Sequence, residues 1–346
     1  VTTLASARHV IDADPSAFDQ MAMERGWGDG LPLVPPTPPR VAAALEQHGW
    51  DPAEVIAVLP PRRAPCTTEK LAVNAVMAGA PPASLPLLRA AVEAMAEPQY
   101  ELHSLNATTG SVVESVVVNG PARHQLGIPF GAGCLGGVAG PAPAIGRALR
   151  LVLRNVAGQE IGVTSQSVWG QPGRVAGIVF GEWEERSPWA PLAERRGVAG
   201  DAVTVLGAMG TMNICDPLAS TADELLLALG RGLACPGVNG FLTGLAFSEV
   251  LVGINPVWAE IIGAAYPDVE VVQRRLAESA KLPMSDWPAR YYEDFEAAGR
   301  IREGYVHLVQ DPNQVLVVVA GGMGALHGVA LHSWGTTVAT TRPILR

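Results

Sequence analysis

Cysteines, a face of arginines and a carboxylate after a buried strand are the side chains here whose type and spacing suit chemistry. Cys66 stands directly before Thr67-Thr68-Glu69-Lys70, where a helix is expected to begin. A thiol at a helix N-terminus has a lowered pKa and can act as nucleophile or redox centre, whereas a buried thiol is inert; both readings stay open. Lys70 and Asn74 lie one turn apart and share a face, which is either solvated or lines a cleft. Cys134 lies in the glycine-rich segment 131–140, and that segment feeds a helix carrying Arg147, Arg150 and Arg154 on one side. Backbone N–H groups of such a turn suit an anion, and Arg147 would meet a carboxylate or phosphate lying along the helix. GxGxxG spacing occurs at Gly131, Gly133 and Gly136, but no β-rich run precedes it directly, so a tightly packed turn is the alternative.

A second glycine turn, with Gly321, Gly322 and Gly324, follows the apolar run 315–320. In open α/β sheets ligands gather at the carboxyl ends of strands, so this turn is expected to face a ligand. Glu182 follows the run that ends at Phe180, making it an acid–base candidate beside Lys70, with plain surface charge as the alternative. Asn74, Thr108, Thr109 and Asn119 are the polar candidates for touching a substrate, together with Arg147 and the three glycines of the second turn. The histidines are scattered, with no HExxH, and there is no GxSxG elbow, so neither a metal nor a serine triad is expected. The residues leave the cofactor open.

The elements that must position these residues read as α/β. Apolar periodicity marks helices at Val41–His48, Leu71–Ala78, Leu85–Met95, Ile145–Val156 and Ala222–Leu233, the last opening with a Thr221–Glu224 capping box. Between them lie β-rich runs at 55–59, 111–118, 175–180, 202–206, 249–254 and 315–320. The alternation predicts mostly parallel sheets. Val118-Asn119-Gly120-Pro121 is echoed by Ile254-Asn255-Pro256, each a strand, an Asn and a Pro at a helix start. That echo hints at two related lobes packed as one unit. The division expected is an N-terminal arm and proline-rich strap over 1–40, a first lobe over 41–200 and a second over 201–346. Residues 26–39 cannot be helix, because proline recurs; they form a strap across the body or a loop that brings Asp29 to a site.

Composition narrows the partners. The 346 residues are 48% hydrophobic and only 16% charged, which favours a large core and a homo-oligomer. A net charge of −9 with no basic run argues against nucleic acid. Four cysteines without a CxxC pair fit a reducing cytoplasm, and no apolar run is long enough for a membrane helix.

Several segments taken together carry a resemblance: 28–37, 69–79, 107–109, 118–121, 145–151 and 182–192. The chain resembles, over roughly residues 26–345, a bacterial family found alongside small proteins bearing a UGSC selenocysteine or cysteine motif. The resemblance implies a cytosolic bacterial protein that partners with a thiol or selenol subunit. Two departures are visible. Val138 to Pro143 stands where an Asn-Arg-Ala-Asn-like stretch is usual, and Gln171-Pro172-Gly173 stands where His-Pro-Gly is usual.

The expectation drawn from all this is an enzyme acting on a small anionic organic molecule, by thiol-linked redox (oxidoreductase) or lyase-type chemistry. The alternatives are a non-catalytic binding or scaffold subunit of a two-protein enzyme, and a cofactor-free biosynthetic lyase or cyclase.

Overall fold

Buried strands that are apolar on both faces need cover on both sides, and this fold supplies it with two sheets back to back and helices outside. The computed structural model describes residues 3–136, 140–243 and 247–345. Its strands, in chain order, are β1 Val55–Leu59, β2 Ala64–Thr67, β3 Val113–Asn119, β4 Ile178–Gly181, β5 Ala202–Ala208, β6 Met212–Cys215, β7 Val250–Ile254, β8 Lys281–Pro283, β9 Ile301–Arg302, β10 Tyr305–His307, β11 Val315–Val319, β12 His327–His332 and β13 Thr340–Pro343. The two main sheets run β4-β3-β5-β13 and β11-β7-β12-β6; β1–β2 form a hairpin and β8-β10-β9 a small satellite sheet.

Alternate side chains of each main strand go to different layers. Val116 and Val118 of β3 join the core beneath one set of helices, whereas Val113 and Val117 face the other sheet. In β7 and β11, Val252 and Val317 pack on the opposite helices, and Leu251, Leu316 and Val318 enter the middle layer. The first helical layer is built from α1 Pro15–Glu24, α2 Pro38–Glu46, α3 Thr68–Ala78, α4 Leu85–Met95, α5 Leu102–Ala107, α6 Ala122–Leu126 and α7 Ala142–Val152, with the short α8 Gly173–Ala176 and α9 Leu192–Arg195 flanking β4. Contrary to the expectation for 26–39, Pro38 and Pro39 open α2, because proline is tolerated in the first helical turn. The second consists of α10 Ala222–Leu233, α11 Pro256–Ala265, α12 Val269–Ser279 and α13 Tyr292–Ala297.

The expectation of mostly parallel sheets is corrected here. Each main sheet has one parallel pair, β3–β4 and β7–β11, and its other pairs are antiparallel. In the second sheet the chain turns back from β11 into β12 within residues 320–326, too short for a parallel crossover, which needs a dozen or more residues. In the first, residues 182–201 join β4 to β5, and their length does not impose the antiparallel sense. The continuous valine runs resemble parallel strands because both faces are buried. Here one face is buried by helices and the other by a second sheet.

The two main sheets share one strand order and one pattern of pairing senses. The chain crosses between them twice, from β5 to β6 and from β12 to β13, so each sheet takes its last strand from the other end of the sequence. At the crossing, Ala208 and Ser333 form an antiparallel bridge. Asn119 ends β3 and Asn255 follows β7, so the echoed residues occupy matching places. Their duties differ. Asn255 caps α11 by accepting from the Trp258 N–H at 2.9 Å, while Asn119 bonds Glu182.

Candidate anion-binding site

The carboxyl ends of the parallel strands are closed. The Gly321 N–H donates to the Phe130 carbonyl at 2.8 Å, and the Trp183 N–H donates to the Val319 carbonyl at 2.6 Å. A Cβ on Gly322 would stand 3.2 Å from that of Ala132, so the two glycine turns are pressed together. Residues 137–139 of the first turn lie outside the described residues. Gly321 takes a positive φ of 97°, which glycine adopts freely, and Gly324 has nothing near it. Cys134 is buried in the middle layer, and burial raises its thiol pKa against the opposing Gly321 and Leu135 N–H groups.

Beside this plug, Glu182 is buried within a hydrogen-bond network. One carboxylate oxygen accepts from Asn119 Nδ2 at 2.7 Å and from the Leu192 N–H at 2.7 Å. Burial pushes its pKa up, and Arg195 opposes the rise. Arg123 and Gly120 bind Glu184, tying the same turn to α6. Cys66 has no exposed surface, and burial pushes its thiol up to about 12, with Lys70 opposing. A thiol at that pKa is protonated at neutral pH and gives a nucleophile no support. The helix cap beside it is Thr67, whose Oγ1 accepts from the Lys70 N–H at 3.2 Å. Lys70 Nζ donates to the Pro65 carbonyl at 2.7 Å, and Asn74 bridges the Lys70 carbonyl to Asn155.

An open site lies instead near the amino ends of β3 and β4, where α7 meets the segment 159–175. Gly146 makes this meeting close: a Cβ there would fall 2.0 Å from the Ala176 carbonyl oxygen. Beyond α7 the helix continues through Leu153–Ala157 as a π turn and stops at Gly158, whose φ is 81°. Such turns recur at functional sites. The resulting cleft has a volume of about 370 Å³, the scale of a small-molecule site. Arg150, Arg154 and Arg174 line it, with Asp29 from the strap and Gln159, Ser167 and Gln171 from the overhanging loop. Apolar side chains share the wall, and the rim residues Val168 and Trp169 are 68% and 93% exposed.

The arginines differ in what neutralises them. Arg147, just outside the cleft, grips both oxygens of Asp29 at 2.7 Å and also donates to the Leu31 and Pro32 carbonyls. It is the buckle of the strap. Burial alone would raise the Asp29 carboxyl, but the Arg147 and Leu31 hydrogen bonds outweigh it and hold the group below its usual range. Arg150 is buried and fully engaged, with Glu114 at 2.5 Å, Gln159, and the Arg174 carbonyl at 2.9 Å. Arg154 gives its Nε–H to the Gly26 carbonyl at 2.8 Å. Arg174 reaches Ser165 Oγ at 3.3 Å, while its Nε–H is buried without a partner. Burial and the neighbouring Arg150 pull the Arg174 pKa down to about 10, against the pull of Glu114. Among the described residues, neither Arg154 nor Arg174 has a carboxylate partner.

The residues singled out from sequence therefore fall in several places. Thr108 and Thr109 support the cleft's loop: the Thr109 carbonyl accepts from the Val168 N–H at 3.0 Å, and Thr108 Oγ1 caps the turn at Gly110. Asn119 and Glu182 form one cluster, Cys134 with the second glycine turn another, and Cys66 with Lys70 and Asn74 a third. Arg174 was not visible from sequence, because it sits on a four-residue helix without periodicity. The shared face of Arg147, Arg150 and Arg154 was the one signal that pointed here. Gln171 also lies in this cleft and donates to the Ser111 and Met209 carbonyls.

Among the described residues no group of three His, Cys, Asp or Glu side chains is placed to hold a metal, and no helix is long and apolar enough to cross a membrane. Comparison with family models, with curated proteins and with solved structures returned no match.

Proposed function

We propose that this protein binds a small anionic organic molecule in the arginine cleft. One observation carries the reading: two arginines without carboxylate partners line a cleft in a chain whose net charge is −9. Half-buried guanidinium groups are costly to desolvate, and a bound anion supplies the missing charge and acceptors. The glycine turns, the first choice from sequence, have less support, because they press on one another.

The reading extends to turnover in two forms. An oxidoreductase using the chain's own thiols has little support, since Cys66 and Cys134 are buried and Cys215 and Cys235 do not line the cleft. A lyase, or a binding subunit whose thiol or selenol chemistry comes from a second protein, fits better. The binding subunit is favoured by the cleft's only lining carboxylate among the described residues, Asp29, which Arg147 locks in its charged form.

The test is native mass spectrometry after incubation with a pool of metabolic organic acids. The wild type should retain an anion, and the double variant R154Q/R174Q should not. Equal retention by the double variant would move the ligand elsewhere and end this assignment.

A further inference from the structure

We propose that the anion is a short-chain dicarboxylate, with one carboxylate on Arg154 and the other on Arg174. This rests on the reading of the cleft as an anion site and deepens it. Arg147 is neutralised by Asp29, and Arg150 by Glu114, so two positive charges remain. Those two are held by different supports. Arg154 rises from the π turn and is tied to the strap through the Gly26 carbonyl. Arg174 sits on the opposite segment, tied to Ser165. Arg150, with all its nitrogens engaged, stands between helix and loop and offers no third fork.

Each remaining guanidinium is a planar fork suited to one carboxylate. Because the two forks come from different segments, two separate carboxylates match them more directly than one compact anion, and phosphate is the control that tests this. A dicarboxylate answers both, and the apolar side chains of Leu151, Val168 and Val175, which line the same cleft, can take its methylene spacer. The volume of about 370 Å³ leaves ample room for a molecule of this size.

The experiment is calorimetric titration of the intact protein with succinate, glutarate, adipate, butyrate and inorganic phosphate. At least one dicarboxylate should bind roughly tenfold or more tightly than butyrate, the worth of one extra charge-assisted pair. R154Q and R174Q, each checked for an unchanged circular dichroism spectrum, should each bring that dicarboxylate down to the level of butyrate. Butyrate or phosphate binding as tightly as every dicarboxylate overturns the dicarboxylate inference and leaves the anion site standing. No binding by any of the five overturns the inference and counts against the anion reading as well. The comparison among ligands uses the wild type alone, so a variant that fails to fold does not decide it.

Discussion

Replacing Glu249 by glutamine should stabilise this protein, and only above mildly acidic pH. Glu249 stands immediately before β7, buried, with one oxygen accepting from the Ala339 N–H at 2.6 Å. Burial pushes its carboxyl up to about 7 from an ordinary 4.5, against the Ala339 N–H and the charge of Arg196. In the unfolded chain the group ionises near 4.5, so between 4.5 and about 7 the unfolded state has lost a proton that the folded state keeps. Stability must then fall as pH rises through that window and stay level above it. At about 1.4 kcal/mol per pH unit the loss amounts to roughly 3 kcal/mol. Glutamine keeps the acceptor for Ala339 and never ionises. The melting temperatures of E249Q and the wild type should coincide near pH 4 and separate by several degrees at pH 8, the variant being higher. A difference that is constant across pH, or a wild type that gains on the variant as pH rises, would refute the burial argument.

His332 should show the opposite sign. Burial pulls its pKa to about 4, and its Nε2 is buried without a partner; wild-type stability should therefore fall as pH drops from 6.5 through about 4, and H332Q should flatten that limb of a Tm-against-pH curve. A thiol reagent should titrate only Cys215 and Cys235 in the native protein, and all four cysteines after unfolding; rapid labelling of Cys66 under native conditions would contradict its burial. R147A should release the strap, costing roughly 3 kcal/mol by leaving Asp29 without its partner, and limited proteolysis should then cut within residues 26–39. G146A drives a Cβ into the Ala176 carbonyl and should cost about 3 kcal/mol while weakening anion binding, read by Tm and by titration.

Local features of this fold were legible wherever the physics is local. The Thr221–Glu224 capping box closes in both directions, and Thr67 caps α3, which ends at a left-handed Gly79. Five of the six β-rich runs from sequence are strands through their centres, and the sixth, 175–180, opens in α8 and becomes strand only from Ile178. What escaped was long-range. β6 and β13 pair with strands more than a hundred residues away, and β12 with one strand at that range and another at closer range; nothing in four to six residues records such a partner. The sense of pairing escaped for a related reason: doubly buried valines say that both faces are covered and not by what. At the site, the arginine face of α7 was readable from a 3.6-residue period. Its complement, Arg174, depended on the contact of Gly146 with residues 176–177, which no periodicity encodes.

The position of the cleft follows from the pairing of the sheets. In an open α/β sheet the loops at the carboxyl ends splay apart and leave a crevice for ligand. Here two such ends meet, because the sheets are back to back and the edge strands β4 and β11 come together through Trp183 and Val319. The glycines there let one turn approach the other, and the crevice fills with protein. At the other end the chain has a different problem. β3 begins with the buried carboxylate of Glu114, which needs a cation, and α7 supplies Arg150. Bringing Arg150 there carries along Arg154 on the same face and sets it beside Arg174. One arginine satisfies the core and two are left over. That surplus is the reason to look for an acid in this cleft, and removing Glu114 is the way to separate the roles. E114Q should cost stability by stranding Arg150 while leaving dicarboxylate affinity intact or raised, because Arg150 then joins the cationic wall. A fall in affinity that tracks the fall in stability would mean that the cleft's charge comes from the fold's own pairing and not from a ligand it awaits.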